Sequence, residues 1–373
     1  MAAFFACLGI ASAAEDSELI YVPDTTRKVC QLTGDTDRAT GAATLSETAK
    51  RFGVTGTDLG SSFEHKGKLY FLFGDTAGRP GDEDAIAWTS STDPEKINLD
   101  FHQRNDGKWL APSVPGIKLG AFEIPSGGCS IDGIIYVAFT TDHTKDVAMG
   151  RSVMASSHDD GRSFKLLYDL SRGKFINVSF LRADEWMYIY GSGDYRKSSV
   201  YLARVKISEI ADPVKLQYFA GTDPNAQPRW VSAEAEALPL FRHDVVGEFS
   251  VAHLEPVKRY VMLYNSEKPG GIVMRSSTTP WGQWSGTTVI FDKWRDNGYG
   301  NFIHVPSKYA KKPDGLSDPN RNDEWGGAYG PYIMARFASG AAGQCRIYYT
   351  MSTWNPYQVV VMRSDLELTG KKR

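Results

Sequence analysis

Residues 57–76 read TDLGSSFEHKGKLYFLFGDT, and this segment indicates the fold class of the chain. Two runs suited to β-strands flank Lys66-Gly67, and a two-residue loop that contains glycine is typical of a tight β-hairpin. The second run, KLYFLFGD, is rich in the aromatic and apolar residues that favour a buried, pleated strand. We therefore predict two antiparallel strands joined by a two-residue turn.

The same pattern returns four more times, so the chain is an internal repeat of five units. Each unit has a strongly β-prone second strand, at residues 68–75, 134–141, 186–192, 259–266 and 346–353. An alternating third run follows each of them, at residues 85–91, 152–157, 199–205, 271–277 and 358–364. No long helical periodicity interrupts the units.

Antiparallel sheets of about four strands, repeated radially, form a β-propeller. We therefore predict an all-β chain that folds as a five-bladed β-propeller. The last unit ends soon after its third strand, and an unpaired sheet edge is a liability. Residues 27–32 are a β-prone run, so we expect this N-terminal strand to complete the last blade and close the ring. A β-sandwich is the alternative, but it offers no reason for five similar hairpins.

The 373 residues are interpreted as one domain preceded by an export signal. Residues 2–14 are mostly small and apolar, and ASA at residues 11–13 fits a small-x-small cleavage site. The basic segment that normally precedes such a signal is missing, so a truncated start and a disordered N-terminus are the alternatives. We expect residues 1–14 to be a signal peptide, residues 15–373 to be a single β-propeller catalytic domain, and the mature protein to be secreted or periplasmic.

Composition narrows the classes of partner. The formal net charge is −2 and no long basic run is present, which argues against nucleic-acid binding. No later segment approaches the about 20 apolar residues of a membrane helix. Cys30, Cys129 and Cys345 permit at most one disulfide bond, and no Cys/His spacing resembles a zinc site. We expect a monomer that binds a polysaccharide and needs no cofactor, with a structural or axial Ca²⁺ left open.

Two aspartates stand at the open end of the first hairpin. Asp58 lies eight residues before Lys66 and Asp75 lies eight residues after Gly67, so we expect their side chains to oppose each other. Two carboxylates so close cannot both ionise easily, so one pKa should be raised. Glycosidases use such a pair, and we assign Asp58 as the nucleophile or general base and Asp75 as the general acid. The alternative is that each aspartate caps a turn.

Further candidates belong to the same face of the ring. In a propeller blade, the start of the first strand and the end of the second strand point to one face, here called the mouth. Acidic residues at matching first-strand positions would bind sugar or tune the pKa of the aspartate pair, and aromatic residues in the loops would stack on sugar rings. The predicted substrate-binding residues are Glu123, Glu248, Arg196, Tyr329, Trp354, Asn355 and Tyr357. The alternative for residues 353–357 is a packed turn that only closes the fifth blade.

With these residues in view, the chain resembles the domain-of-unknown-function 4185 family, some members of which are glycoside hydrolase family 183 endo-D-arabinanases. The resemblance spans about residues 54–365. It rests on GTDLG at 56–60, FGDT at 73–76, GGAYGPY at 326–332 and STWNPYQVVVMRS at 352–364. It implies a five-bladed propeller that cleaves α-linked D-arabinofuranose polymers, with the family's acidic pair at Asp58 and Asp75.

Three functions follow from these observations. The first is a secreted glycoside hydrolase that degrades a furanoside-containing polysaccharide, with an endo-α-D-arabinanase as its most specific form. The second is a carbohydrate-binding propeller without activity, which needs the aromatic mouth but no close acidic pair. The third is a metal-centred lyase or lactonase, in which acidic residues on the axis hold a cation.

Overall fold

The computed structural model describes residues 17–78, 83–144, 148–310 and 312–370, so the predicted signal peptide at residues 1–14 lies outside the described residues. Over the described residues the chain is almost entirely β-structure, and none of their helices is long and apolar enough to cross a membrane. One short α-helix, α1, spans Thr48–Phe52. Four 3-10 turns span Ile207–Glu209, Pro213–Lys215, Glu234–Glu236 and Ala335–Phe337.

The strands are arranged in five antiparallel sheets, each a blade of the propeller. The strands are, in chain order, β1 Leu19–Tyr21, β2 Arg27–Gln31, β3 Gly56–His65, β4 Lys68–Ala77, β5 Glu83–Thr89, β6 Asp100–Phe101, β7 Pro125–Ile131, β8 Ile134–Thr141, β9 Arg151–Ser157, β10 Lys165–Ser171, β11 Asn177–Ala183, β12 Trp186–Ser192, β13 Val200–Lys206, β14 Gln217–Thr222, β15 Pro228–Val231, β16 Val246–Leu254, β17 Arg259–Glu267, β18 Gly270–Ser277, β19 Thr288–Phe291, β20 Gly327–Ile333, β21 Gln344–Trp354 and β22 Gln358–Leu368. The first four blades are β3–β6, β7–β10, β11–β15 and β16–β19, and the fifth combines β20–β22 with β1 and β2. The predicted five-bladed β-propeller is confirmed.

The hairpins form where the sequence predicts them. In the first blade β3 and β4 are joined by Lys66 and Gly67, which have φ of 46° and 78°. Both values are positive, and a two-residue turn with positive φ at both positions matches the twist of the flanking strands. Every predicted second and third strand falls within an observed strand or overlaps it to within two residues at its ends.

The N-terminal segment closes the ring. Strand β2 pairs antiparallel with β22, from Arg27 opposite Arg363 to Gln31 opposite Val360, so the predicted closing strand is confirmed. The shorter strand β1 pairs with the far end of β22 and was not predicted. Together the two strands cover the edge of the last blade, and an edge covered in this way cannot pair with another chain.

The hydrophobic core lies between the blades. Five clusters of buried residues are present, one at each contact between neighbouring blades. At the contact between the fifth and first blades, Phe71 and Phe73 are fully buried against Val359 and Val361. Each such phenylalanine contributes about 1.5–3 kcal/mol through burial. Since every blade relies on two neighbours, the ring is a single cooperative core that holds the central strands in place.

The three cysteines of the described chain carry free thiols. Cys30, Cys129 and Cys345 form no disulfide bond with one another. Burial raises the pKa of Cys30 and of Cys129 to about 12, which leaves both as unreactive thiols. Packing between blades, and not covalent cross-linking, therefore stabilises this fold.

Candidate active site

Asp58 lies near the start of β3, the inner strand of the first blade, where it lines a central cavity. The hairpin places it opposite Gly74, so the prediction that it directly opposes Asp75 is wrong by one residue. The cause is local, because β3 has a register shift on each side of Asp58, and an extra residue on one strand changes which residues face each other. A Cβ atom at Gly74 would stand only 3.0 Å from Oδ1 of Asp58, so glycine allows this carboxyl group to lie over the neighbouring strand.

Asp75 occupies a bulge at the end of β4. The pairing of β4 with β5 has a register shift here, where Gly74 and Asp75 stand against the single residue Asp84. Asp75 has φ of 37°, in the left-handed region that Asp and Asn tolerate better than most residues. Its Oδ1 atom accepts a 2.9 Å hydrogen bond from the main-chain N–H of Phe122. Bulges of this kind re-aim a side chain, and this one directs Asp75 into the cavity.

Asp84, on β5, is an acidic residue of this site that the sequence did not reveal. It follows Asp58 and Gly74 in a row across the three strands, and only 3% of it is exposed. Neither carboxyl oxygen accepts a hydrogen bond of normal geometry from the described residues. Burial raises the pKa of Asp84 well above its usual range, and the charges of Asp75 and Asp58 act in the same direction. Burial and the two neighbouring charges therefore favour the neutral form of Asp84, which lies behind the pair.

The electrostatics of Asp58 are set by burial and by its acidic neighbours. Burial raises the pKa of Asp58 to about 7, with the charge of Asp75 as the second cause and that of Glu248 as a smaller one. Tyr329 acts in the opposite direction, since its hydroxyl donates a 2.8 Å hydrogen bond to Oδ2 of Asp58. Near neutral pH both protonation states of Asp58 are thus populated, which is the condition for general acid–base catalysis.

Two aromatic residues of the fifth blade form the wall beside the pair. The hydroxyl of Tyr357 donates a 3.0 Å hydrogen bond to the main-chain carbonyl of Asp75, and burial raises the pKa of Tyr357 so that it stays a donor. Trp354 packs edge-on against Tyr357, with 5.6 Å between ring centroids. Trp354 is 37% exposed and lines the cavity, so part of its ring is free to contact a ligand.

The opposite wall carries a charged pair. The guanidinium of Arg196 donates hydrogen bonds of 3.0 and 3.3 Å to the two carboxylate oxygens of Glu248. Tyr195 donates a third bond, of 3.2 Å, to Glu248. The Arg196 guanidinium also lies over the ring of Tyr329, 5.4 Å from its centroid, which links this wall to the partner of Asp58. These three hydrogen bonds fix the orientation of the Glu248 carboxylate within the cavity.

The cavity has a volume of about 650 Å³, within the usual range for small-ligand sites. It brings together seven of the nine predicted site residues. These seven are Asp58, Asp75, Arg196, Glu248, Tyr329, Trp354 and Tyr357. All of them come from first-strand starts, from second-strand ends or from the loops that follow second strands, so the mouth is where the strand order places it.

Glu123 does not line this cavity, which corrects the prediction that it binds substrate. One carboxylate oxygen accepts the main-chain N–H of Gly120 at 2.9 Å, and the other accepts that of His143 at 2.9 Å. One oxygen therefore serves the backbone of the connection before β7, and the other serves the backbone of the connection after β8. Main-chain amides of a folded loop have no sequence signature, so the position of Glu123 in the repeat was misleading.

Asn355 is also outside the cavity and fully buried, which corrects a second predicted ligand contact. Its Oδ1 atom accepts the N–H of Asp318 at 2.7 Å, and its amide group donates to the carbonyls of Arg321 and Glu324 at 2.9 Å each. Asn355 thus joins the turn after β21 to the long connection before β20. The structural alternative holds for this residue, while its neighbours Trp354 and Tyr357 face the cavity.

Four further residues line the cavity without having been predicted as substrate-binding residues. Phe122 and Tyr195 are exposed aromatic residues at the rim, and Asn177 and Lys293 add polar groups. Two of them could have been predicted from the strand order, because connections between an outer strand and the next inner strand also end at the mouth. Phe122 and Lys293 lie in two such connections.

A metal site was left open by the sequence. Within the described residues, no group of three or more His, Cys, Asp and Glu side chains is arranged to hold a metal ion. Asp58, Asp75 and Asp84 are close neighbours, yet their arrangement does not form a ligand set.

Comparison with known families finds a match over most of the chain. A family model described as a domain of unknown function, DUF4185, matches residues 44–363. Among curated proteins none matches the chain in sequence.

Solved structures with the same fold share little sequence with this chain. A proposed hydrolase from Bacteroides ovatus has 12% identity and a TM-score of 0.52, and the match covers 85% of this chain and 87% of that one. An exo-β-1,3-galactanase from Phanerochaete chrysosporium has 9% identity and a TM-score of 0.48, covering 91% and 64%. An α-L-arabinofuranosidase of family GH62 from Coprinopsis cinerea has 11% identity and a TM-score of 0.47, covering 92% and 98%. At these identities the similarity concerns the fold alone.

Proposed function

The chain belongs to the DUF4185 family, and we propose that it is a glycoside hydrolase that cleaves a polysaccharide in its central cavity. One observation carries the proposal. Asp58 and Asp75 line the same cavity from neighbouring strands, and Asp58 has a pKa of about 7, raised by burial and then by the charge of Asp75. Such a pair shares one proton near neutral pH, which is what cleavage of a glycosidic bond by two carboxyl groups requires.

The substrate we propose is a furanoside-containing polysaccharide, and in its most specific form an α-linked D-arabinan cleaved internally. The family resemblance supports this substrate. The cavity walls are compatible with a sugar chain, since Trp354, Tyr195 and Tyr329 offer ring faces and Arg196 offers donors for hydroxyl groups.

The balance of protonation favours roles opposite to those expected from the sequence. Burial makes Asp58 the residue that holds the shared proton at rest, while the N–H of Phe122 stabilises the charged form of Asp75. We therefore assign Asp58 as the general acid and Asp75 as the nucleophile or general base. In the step, Asp58 gives its proton to the glycosidic oxygen as the bond to the anomeric carbon breaks, and Asp75 attacks that carbon or takes a proton from the attacking water.

The test is a screen of the purified chain on polysaccharides, including arabinogalactan, with analysis of the released products. We expect oligosaccharides with new reducing ends from an arabinofuranose polymer. Retention of a polymer without any product would favour the carbohydrate-binding propeller instead. The export of the protein and its monomeric state stay predictions, to be checked by N-terminal sequencing of the exported protein and by sedimentation.

A further inference from the structure

The connection between β19 and β20 carries a feature that the proposed reaction does not use. It spans residues 292–326 and joins the outer strand of the fourth blade to the inner strand of the fifth. The strand order places both of its ends on the mouth face, the face to which Asp58 belongs. A ligand that leaves the cavity in this direction would therefore meet this connection.

Four aromatic side chains of the connection are in mutual contact, and we call them the aromatic platform: Trp294, Tyr299, Tyr309 and Trp325. Trp325 is the centre of the group, with ring centroids 5.1 Å from Tyr309, 5.3 Å from Tyr299 and 6.2 Å from Trp294. Trp294 also contacts Tyr299 at 4.7 Å. Such distances are typical of packed aromatic pairs.

The aromatic platform faces outward. Trp294 is 63% exposed, Tyr309 is 60% exposed and Trp325 is 40% exposed, while Tyr299 is half-buried beneath them. Exposure of several large aromatic rings in one patch costs hydration free energy that a core position would recover. Contiguous apolar patches of this kind mark binding sites.

The aromatic platform is held in shape by hydrogen bonds beneath it. The hydroxyl of Tyr299 donates to the carbonyl of Gly326 at 3.1 Å, and the N–H of Gly326 donates to the carbonyl of His304 at 3.0 Å. The ring of His304 is buried and hydrogen-bonds to Asp314 at 2.8 Å. A surface that is already ordered loses little conformational entropy when a ligand binds.

The aromatic platform is continuous with the cavity. Lys293 lines the cavity, and its ammonium group lies 5.8 Å from the centroid of the Tyr299 ring. Gly327, two residues after Trp325, lines the cavity as well. The arrangement is a cavity with acidic groups that opens toward flat, exposed rings on the same face.

We propose that the aromatic platform is a distal subsite, which binds a polysaccharide chain where it emerges from the cavity. The inference rests on the proposed function, because it assigns the same polymer to both surfaces. Flat aromatic rings match the C–H faces of sugar rings, and continuity with the cavity favours one extended chain over a separate protein partner. The consequence is a preference for long polymers over short oligosaccharides.

Binding to the platform can be measured separately from catalysis. The parent is the full chain with Asp75→Asn, and the test variant adds Trp294→Ala and Trp325→Ala. The probes are soluble arabinogalactan in an affinity gel and an arabinofuranose oligosaccharide short enough to fit the cavity. We expect the platform variant to bind the polymer about tenfold more weakly and the oligosaccharide equally well.

Trp281→Ala in the same parent is the matched control, since the turn between β18 and β19 lies on the face opposite the mouth. Trp325→Tyr keeps a flat ring and should retain polymer binding. This variant separates loss of the ring from misfolding of the alanine variant. Three outcomes would overturn the inference. The first is that the parent and the platform variant bind the polymer with equal affinity, and the second is that the polymer in the gel fails to retard the parent. The third outcome is that the substitutions abolish self-association of the chain and leave polymer binding unchanged. If wild-type chain releases no product but the platform variant still loses polymer affinity, the distal subsite stands and the hydrolase assignment fails.

Discussion

The hydroxyl of Tyr329 donates a 2.8 Å hydrogen bond to the carboxyl group of Asp58, across the contact between the fifth and the first blade. The two residues are 271 positions apart in the chain and meet only because the ring closes. The bond favours the charged form of Asp58, while burial and the charges of Asp75 and Glu248 oppose it. The proton affinity of Asp58 is therefore a balance between named groups, and each group can be changed separately.

Tyr329→Phe removes the hydroxyl and leaves the ring in the cavity wall. The pKa of Asp58 should rise by about 1–2 units, because a hydrogen bond to a charged group is worth about 1.5–3 kcal/mol. With Asp58 as general acid, the basic limb of kcat/KM against pH should move to higher pH. Movement of the acidic limb would instead make Asp58 the base or nucleophile, and an unchanged profile would contradict any role for this bond.

Glu248→Gln should move the same limb in the opposite direction. The charge of Glu248 raises the pKa of Asp58, so its removal lowers that pKa, and the unpaired Arg196 guanidinium adds to the effect. We expect the basic limb to shift to lower pH in a pH–rate profile. Shifts of equal sign in this variant and in Tyr329→Phe would contradict the electrostatic balance described for Asp58.

Asp58→Asn and Asp75→Asn should each lower hydrolysis of the polysaccharide by at least about 10³-fold, since each loses one partner of the acid–base pair. Asn suits the positive φ of Asp75, so the backbone is preserved. On an aryl glycoside with a good leaving group, Asp58→Asn should recover activity, because that leaving group needs no proton. Asp132→Asn is the control, in an exposed turn at positive φ on the opposite face. Recovery by Asp75→Asn alone would restore the roles expected from the sequence.

Asp84→Asn should change how stability depends on pH. The pKa of Asp84 is raised in the folded state, whereas in the unfolded chain it lies near 3.9. At pH values between these two pKa values, Asp84 is ionised in the unfolded chain and protonated in the folded chain. Wild-type stability therefore falls as pH rises through this window, by about 1.4 kcal/mol per pH unit for this group. The variant lacks this dependence, so its free energy of unfolding relative to wild type should increase with pH in denaturant titrations above about pH 4. Parallel pH dependences would show that Asp84 ionises normally.

Deletion of residues 1–33 should abolish cooperative unfolding, because β1 and β2 cover the edge of β22. The deletion also removes Leu32, which is buried between the fifth and first blades, and the hydrogen bond from Thr33 to Gln358. Deletion of residues 1–16 keeps both strands and is the control. Differential scanning calorimetry should show a loss of the main transition only for the longer deletion, and equal transitions for the two chains would contradict closure by β2.

The blades could be predicted because the sequence patterns that specify them involve residues close together in the chain. Strand periodicity, the Lys66-Gly67 turn and the repetition of the hairpin depend on neighbouring residues, and a strand needs only an open sheet edge to find its place. The same local reasoning placed the mouth correctly, since strand direction decides which ends share a face. Seven of the predicted site residues line the cavity for this reason.

The strand register around Asp58 and the hydrogen-bond partners of the site residues depend on the tertiary structure. The bulges that set Asp58 opposite Gly74 and bring Asp84 behind the pair depend on how strands pack, and one extra residue changes every opposed position. Glu123 and Asn355 looked like mouth residues, but folded loops supply main-chain groups that use their polar atoms. Local sequence patterns thus suffice to predict that five hairpins form a ring with acidic residues at one face. Only the closed ring decided which of those residues meet, because hydrogen-bond partners such as Tyr329 and Asp58 belong to distant parts of the chain that packing alone brings together.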